Sequence, residues 1–170
     1  YVLSDLLDRE EGKAVDPAGF EANVRQAVNE VVGRQNEIGL DLVNDGEAGK
    51  PSYVVYVKYR LSGFEGEQTP RADPKWASDF PEYYQRSNKE GMPIRGRTIT
   101  RPACNGPIEM KDRGGVQRDI ANLSAAARAR GIEPNDVFMT APSPGVITHY
   151  HANQHYTKAT KRTSMPSQRR

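Results

Sequence analysis

Cysteine is nearly missing from this 170-residue chain: the single Cys104 rules out an intramolecular disulfide and any thiolate cluster for zinc within it. Long apolar runs are missing too. Nothing approaches the roughly 20 apolar residues that a bilayer helix needs, and the mean hydropathy is −0.78, so a membrane span is excluded and a soluble chain in a reducing, cytoplasmic setting is the expectation. The first residue is Tyr1, not Met, and no charged-then-apolar signal segment follows, so a cut or incompletely sequenced start is expected rather than secretion. Hydrophobic residues make up 36%, enough for one core but not for two.

A general excess of charge is also absent. The 24 basic and 22 acidic residues give +2, and the isoelectric point near 8.7 would by itself suggest a nucleic-acid partner. Five of the basic residues, Lys158, Lys161, Arg162, Arg169 and Arg170, lie in the last stretch with no acid among them, which leaves 19 against 22 and a net −3 for residues 1–157. With a mildly acidic body and no basic stripe with interleaved aromatics, no nucleic-acid partner is expected.

What is there is a patterned body. Residues 1–13 read as a short helical stretch with Leu3, Leu6 and Leu7 on one side, running out at Gly12. From Pro17 to Glu37 the residues Phe20, Val24, Val28, Val31 and Val32 recur at helical spacing, with Asp16-Pro17 suited to the start and Gly39 to the end. The short run Leu40-Asp41-Leu42-Val43 then predicts a strand that ends in the acidic turn Asn44-Asp45-Gly46-Glu47. A second copy of this order follows: Thr98 to Pro107 as strand and turn, Val116 to Arg130 as helix, Gly131 as its stop, and Asp136 to Thr140 as strand, ending in the turn Ala141 to Gly145. Helices feeding through glycine into strands predict an α/β layer fold. Residues 62–96 show no periodicity and read as an irregular excursion over one face.

The last stretch, residues 157–170, has almost no apolar residue and is expected to be disordered. It reads either as a genuine basic tail or as the product of a frame change, since permitted codons of a displaced frame spell the start of an amphipathic helix.

Several residues could carry chemistry. His149, His151 and His155 are spaced like partial metal ligands, but no Cys, Asp or Glu stands among them, and polar residues just past a strand end are the expected reading. Cys104 has no local histidine and reads as a small core residue. Gly114-Gly115 before a helix offers a weak phosphate site that lacks the lysine and spacing of a P-loop. Asp45 and Glu47 are the best candidates: at a strand end they either bind a substrate ammonium group or serve in acid–base work, or else merely cap the following segment.

The run Asp8 to Lys13, the helix to Ile38, Gly39 to Lys50 with Asp-Gly-Glu at 45–47, the tyrosine-rich Tyr53 to Tyr59, Leu61 to Phe64, Asn105 to Ile108 and Ala141 to Ile147 together resemble the catalytic barrel of the cobalamin-independent methionine synthase family. The resemblance covers residues 3–156 in order. It implies a (β/α)8 TIM barrel, which needs about 250 residues, so this α/β chain would hold a partial barrel of about three or four βα units, open rather than closed. Residues 1–156 would be the N-terminal part of that barrel and 157–170 its tail.

The resemblance also implies a function. A zinc ion would activate the thiolate of homocysteine, which takes the methyl group of a methyltetrahydrofolate to give methionine. No cobalamin is involved. The zinc ligands of the family, a His-x-Cys pair, a glutamate and a distant cysteine, are absent from this chain, so no metal site is assigned to it. Glu47 matches the glutamate that holds the amino group of homocysteine, with Asp45 beside it. The expected partners are therefore a small-molecule thiol and a methyl donor, with self-association as one way to cover open barrel faces. A related alkyltransferase acting on coenzyme M and a non-catalytic truncated product are the alternatives.

Overall fold

The computed structural model describes residues 2–67, 75–89 and 101–157, with the backbone alone for 87–89. The helix α1 (Val2–Glu10) buries Leu6 and Leu7, as the leucine spacing predicts. α2 (Pro17–Glu37) starts where Asp16 and Pro17 place it: the Asp16 carboxylate accepts from the N–H groups of Ala18 and Gly19, two donors that the first turn leaves without helical partners. It stops at Gly39, whose φ of +79° lets the Gly39 and Leu40 N–H groups turn back onto the Asn36 and Gln35 carbonyls at 3.1 Å each. The second long helix, α6 (Arg113–Arg128), closes the same way at Gly131, φ +68°. Between them lie the short helices α3 (Val57–Arg60), α4 (Trp76–Asp79) and α5 (Pro81–Lys89), and after them come a 3-10 turn at Pro134–Asp136 and α7 (Pro144–Tyr150).

The main core lies where α2 packs on α6. Val24, Val28 and Val32 meet Leu123 and Ala126, with Val43 beneath them. Helix propensity alone would not hold a valine-rich α2; burying this face does. At the far end of α6, the Arg130 guanidinium donates to the Asn29 carbonyl and side chain at 2.8 Å, fastening the two helices. A smaller cluster joins Val57, Phe64 and Cys104 with Tyr56, Leu61 and Ile147 around it. Among the described residues no helix is long and apolar enough to cross a membrane.

The expected α/β fold is overturned. The described residues are mostly helical and contain no strand and no sheet, so the chain is not a partial (β/α)8 TIM barrel. Pairing is limited to isolated bridges. The expected strands at Leu40–Val43 and Asp136–Thr140 do lie side by side: Val43 N–H donates to the Asp136 carbonyl and Phe138 N–H to the Val43 carbonyl, at 3.0 Å each, in parallel sense. The ladder ends after that one pair. A parallel strand persists when both of its faces are covered and its edges are paired; here only Val43 is buried, while Leu42 is 52% and Phe138 44% exposed.

Two further differences concern helices. The stretch 62–96 contains α4 and α5, with the Trp76 ring against Tyr83 and Tyr84 at 6.0 and 5.4 Å. The turn Ala141 to Gly145 runs directly into α7, which Ser143 caps by accepting from the Val146 N–H. The start of the expected strand at Thr98 and the tail 158–170 lie outside the described residues.

Candidate functional site

Residues 44–50 form a pair of interlocked turns on the flank of α2. The Asn44 side chain accepts from Gly46 N–H at 2.7 Å and the Asp45 carboxylate from Glu47 N–H at 3.1 Å, the local bonds for which Asn and Asp are suited. Gln35 of α2 clamps the turn by bonding both backbone groups of Asn44, at 2.9 and 3.0 Å. Gly46 and Glu47 both take left-handed backbone, φ +59° and +54°. Glycine does so at no steric cost; for Glu47 the conformation costs about 1–2 kcal/mol, which the surrounding bonds must offset.

The two carboxylates of this turn end up in different surroundings. Asp45 is buried and faces the buried Lys50 ammonium at 3.5 Å, with side-chain exposures of 6% and 4%. Lys50 also donates to the Thr140 carbonyl at 3.3 Å and lies 5.3 Å from the centre of the Tyr56 ring. Asp45 is thus neutralised inside the protein. Glu47 is half-buried, accepts the Thr140 hydroxyl at 2.7 Å, and among the described residues has no cation within ion-pair reach. Tyr53 adds a third link between the same segments, its hydroxyl donating to the Ala141 carbonyl at 3.0 Å.

Beside this turn, a cavity of about 390 Å³ opens between α1, α2, α3 and α6. Its charges are internally paired. Arg60 holds Asp112 at 3.2 Å and Asp119 at 2.8 Å, and Arg118 holds Asp112 and Glu21. The Arg9 guanidinium lies 3.7 Å over the Tyr59 ring. Burial pushes the Asp119 carboxyl above its ordinary range, with the Asp45 charge adding to it, while Arg60 and Lys50 pull the other way; the two charged groups sense one another. Burial also raises the hydroxyls of Tyr56 and Tyr59, and Tyr59 is raised further by its bond to Glu10. Asp112 is held low, chiefly by the Gly115 N–H and then by Arg118 and Arg60.

The remaining sequence candidates are dispersed. Gly114-Gly115 does not leave a vacant anion cradle: the Gly115 N–H is taken by Asp112, and a Cβ on Gly115 would overlap the Arg60 guanidinium. That glycine makes room for the arginine. His149 lies on α7 beside Tyr150, and His155 packs on Tyr156, while His151 is 97% removed from solvent against Phe64 and does not stand past a strand end. Cys104 is buried, as its reading as a small core residue expects. Among the described residues no group of three or more His, Cys, Asp or Glu could hold a metal ion, so the zinc implied by the resemblance does not fit them. Thr140 and the Arg60–Asp119 pair have no motif to announce them, and the runs that contain Lys50 and Tyr53 do not say what these two bond; only the fold brings Thr140 to Glu47.

The chain is similar to two curated proteins, each named 5-methyltetrahydropteroyltriglutamate–homocysteine methyltransferase. The protein from Streptomyces avermitilis is 31% identical over 88 residues, which is 52% of this chain and 10% of that protein. The one from Streptomyces coelicolor is 26% identical over 103 residues, 56% of this chain and 13% of that protein. The matched stretch thus spans about a tenth of the length of these relatives. No family model matches the chain, and no solved structure does.

Proposed function

We propose that the chain is part of a thiol methyltransferase of the kind its relatives are named for, and that Glu47 receives the ammonium group of homocysteine. The likeness to two homocysteine methyltransferases carries this reading. The surroundings of Glu47 support its role: a carboxylate with no cation within ion-pair reach among the described residues, oriented by the Thr140 hydroxyl, can accept a charge-assisted bond from a substrate ammonium. Asp45, already paired with Lys50, holds the turn and does not bind substrate. In the overall reaction a thiolate sulfur forms a bond to the methyl carbon as the bond from that carbon to the donor nitrogen breaks, and the electron pair stays on the nitrogen, which takes up a proton from solvent to leave as the neutral amine. The part of this chain is to bind and orient the amino-acid end, and none of its described residues is assigned to a metal.

Calorimetric titration of L-homocysteine into the full chain and into Glu47→Gln tests the reading. Glutamine keeps the acceptor for Thr140 and removes only the charge, so melting should hardly change while the dissociation constant rises roughly 10- to 150-fold, the loss of one charged hydrogen bond. Coenzyme M has no ammonium group and serves as the control thiol. Equal homocysteine affinity in both proteins, or binding of coenzyme M alone, would remove Glu47 and homocysteine from the proposal.

A further inference from the structure

The cavity of about 390 Å³ between α1, α2, α3 and α6 pairs its charges internally at Arg60 and Arg118, but not at Arg9. Arg9 stands in an acidic stretch, Asp8-Arg9-Glu10-Glu11, and each of these neighbours is taken by another group. Glu10 holds the Lys58 ammonium at 2.6 Å and accepts the Tyr59 hydroxyl. Asp8 and Glu11 hold Lys13 at 3.3 and 2.9 Å. Glu21, the acid that α2 adds to the cavity wall, holds Arg118 at 3.2 Å. Among the described residues Arg9 is left with no hydrogen-bond or ion-pair partner.

Its guanidinium is held in place all the same. The central carbon lies 3.7 Å from the centre of the Tyr59 ring and 5.9 Å from that of Phe20, and both rings belong to the cavity wall together with Arg9. The face of an aromatic ring attracts a cation, and a guanidinium seated on one keeps its N–H donors, which lie in its own plane, for a planar acceptor. Tyr59 is itself fixed through its hydroxyl to Glu10, so the seat under Arg9 is formed before any ligand arrives. Arg9 is exposed, and a ligand in the cavity reaches it as it stands. The same wall carries Val15, Pro17, Phe20, Val24 and Tyr56, apolar surface for the rest of a ligand.

We propose that this cavity binds a small monocarboxylate that bears an aromatic ring, with the two carboxylate oxygens on the Arg9 guanidinium and the ring against the apolar part of the wall, a ligand of the benzoate class. One uncommitted guanidinium offers one unit of charge and parallel N–H donors, which match the charge and the two oxygens of one carboxylate. A neutral ligand would leave that charge unused, and an anion without a ring would leave the apolar wall in water. The volume lies within the range of small-molecule sites and suits one or two rings. Glu47 is not in this wall, and the proposal is independent of the role given to it.

Calorimetric titration of benzoate, benzyl alcohol, acetate and phenyl phosphate into the full chain, with the Arg9 Nε–H followed by NMR, is the test. Benzoate should bind about tenfold or more tightly than benzyl alcohol, which lacks the charge, and than acetate, which lacks the ring, and it should move the Arg9 resonance. Arg9→Gln removes the charge at an exposed position, so its melting should stay close to that of the wild type while the preference for benzoate over benzyl alcohol disappears. No benzoate binding at millimolar concentration, acetate or benzyl alcohol binding as well as benzoate, phenyl phosphate binding more tightly than benzoate, or a benzoate preference that survives in Arg9→Gln would each overturn the proposal. If the variant does not fold, the wild-type comparison and the Arg9 resonance decide.

Discussion

Replacing Lys50 by methionine should be among the most damaging single changes in this chain. The side chains are similar in length, so the perturbation is the loss of a charge rather than of volume. In the native structure the ammonium is 4% exposed and lies 3.5 Å from the Asp45 carboxylate. At an effective dielectric of about 20, two unit charges at that distance attract by about 5 kcal/mol. Once Lys50 is gone, Asp45 keeps the Glu47 N–H as a donor but remains a buried, uncompensated anion. Breaking such a pair from one side costs about 3–5 kcal/mol, a large share of the roughly 5–15 kcal/mol that holds a domain together. Removing both charges should behave differently. Asp45→Asn still accepts from Glu47, so the double variant Asp45→Asn/Lys50→Met loses mainly the bond to the Thr140 carbonyl and should lie within about 1–1.5 kcal/mol of the wild type. Urea denaturation with a common slope measures all three variants, and the double variant remains informative even if Lys50→Met does not fold. A cost below about 1 kcal/mol for Lys50→Met, or a double variant as unstable as the single, would refute the view that this pair is a closed internal charge system.

Gly115→Ala should destabilise by about 1–3 kcal/mol although alanine is the better helix former by about 1 kcal/mol, because its Cβ overlaps the Arg60 guanidinium and crowds the Asp112 carboxylate at 2.5 Å; in an Arg60→Ala background, where only the Asp112 contact is left, the penalty in thermal melts should shrink, and an undiminished penalty would show that the arginine is not the cause. The two acids held by Arg60 should respond to pH with opposite sign. Asp119 has a raised folded value, so its contribution is fully present below the unfolded value of 3.8 and is lost as pH rises through the raised value; Asp119→Asn should therefore gain on the wild type as pH rises above 3.8. Asp112 has a lowered one, so its contribution is present above 3.8 and is lost as pH falls through the lowered value; the deficit of Asp112→Asn should shrink below about pH 4. Urea titrations across that range check both, and slopes of the same sign would contradict the assigned causes.

The helices were legible in the sequence because their signals are local. Asp16-Pro17 opens α2 and Gly39 closes it through bonds that reach no more than five residues, and the same logic reads the end of α6 at Gly131. The strands were not, because a strand is defined by neighbours that its own residues do not specify. Leu40-Asp41-Leu42-Val43 has the composition of a β segment and finds a parallel partner at Val137, yet with Leu42 and Phe138 exposed nothing extends the pairing beyond one bridge. α7 carries Ser143-Pro144, the same kind of opening as Asp16-Pro17, but the segment 141–145 equally fits a strand-end turn, and the seven-residue helix behind it is too short to show an apolar period of its own. α4 and α5 have no regular apolar period to mark them; the contacts of the Trp76 ring with Tyr83 and Tyr84 join them instead.

The candidate site shows the same division between local and distant causes. The turn at 45–47 could be found from its residues, since Asn, Asp and Gly bond and bend in ways that need no other segment. Which of its two carboxylates is open to a ligand could not be found so, because the answer depends on Lys50 folding beneath Asp45 and on Thr140 arriving from the other side of α6. A carboxylate neutralised from within has little further attraction for a substrate cation, whereas one oriented by a neutral hydroxyl keeps its full charge to offer. That difference turns an undivided acidic pair into one structural residue, Asp45, and one proposed binding residue, Glu47. It also makes Thr140 a positioning group whose loss should loosen Glu47 without changing the charge of the turn.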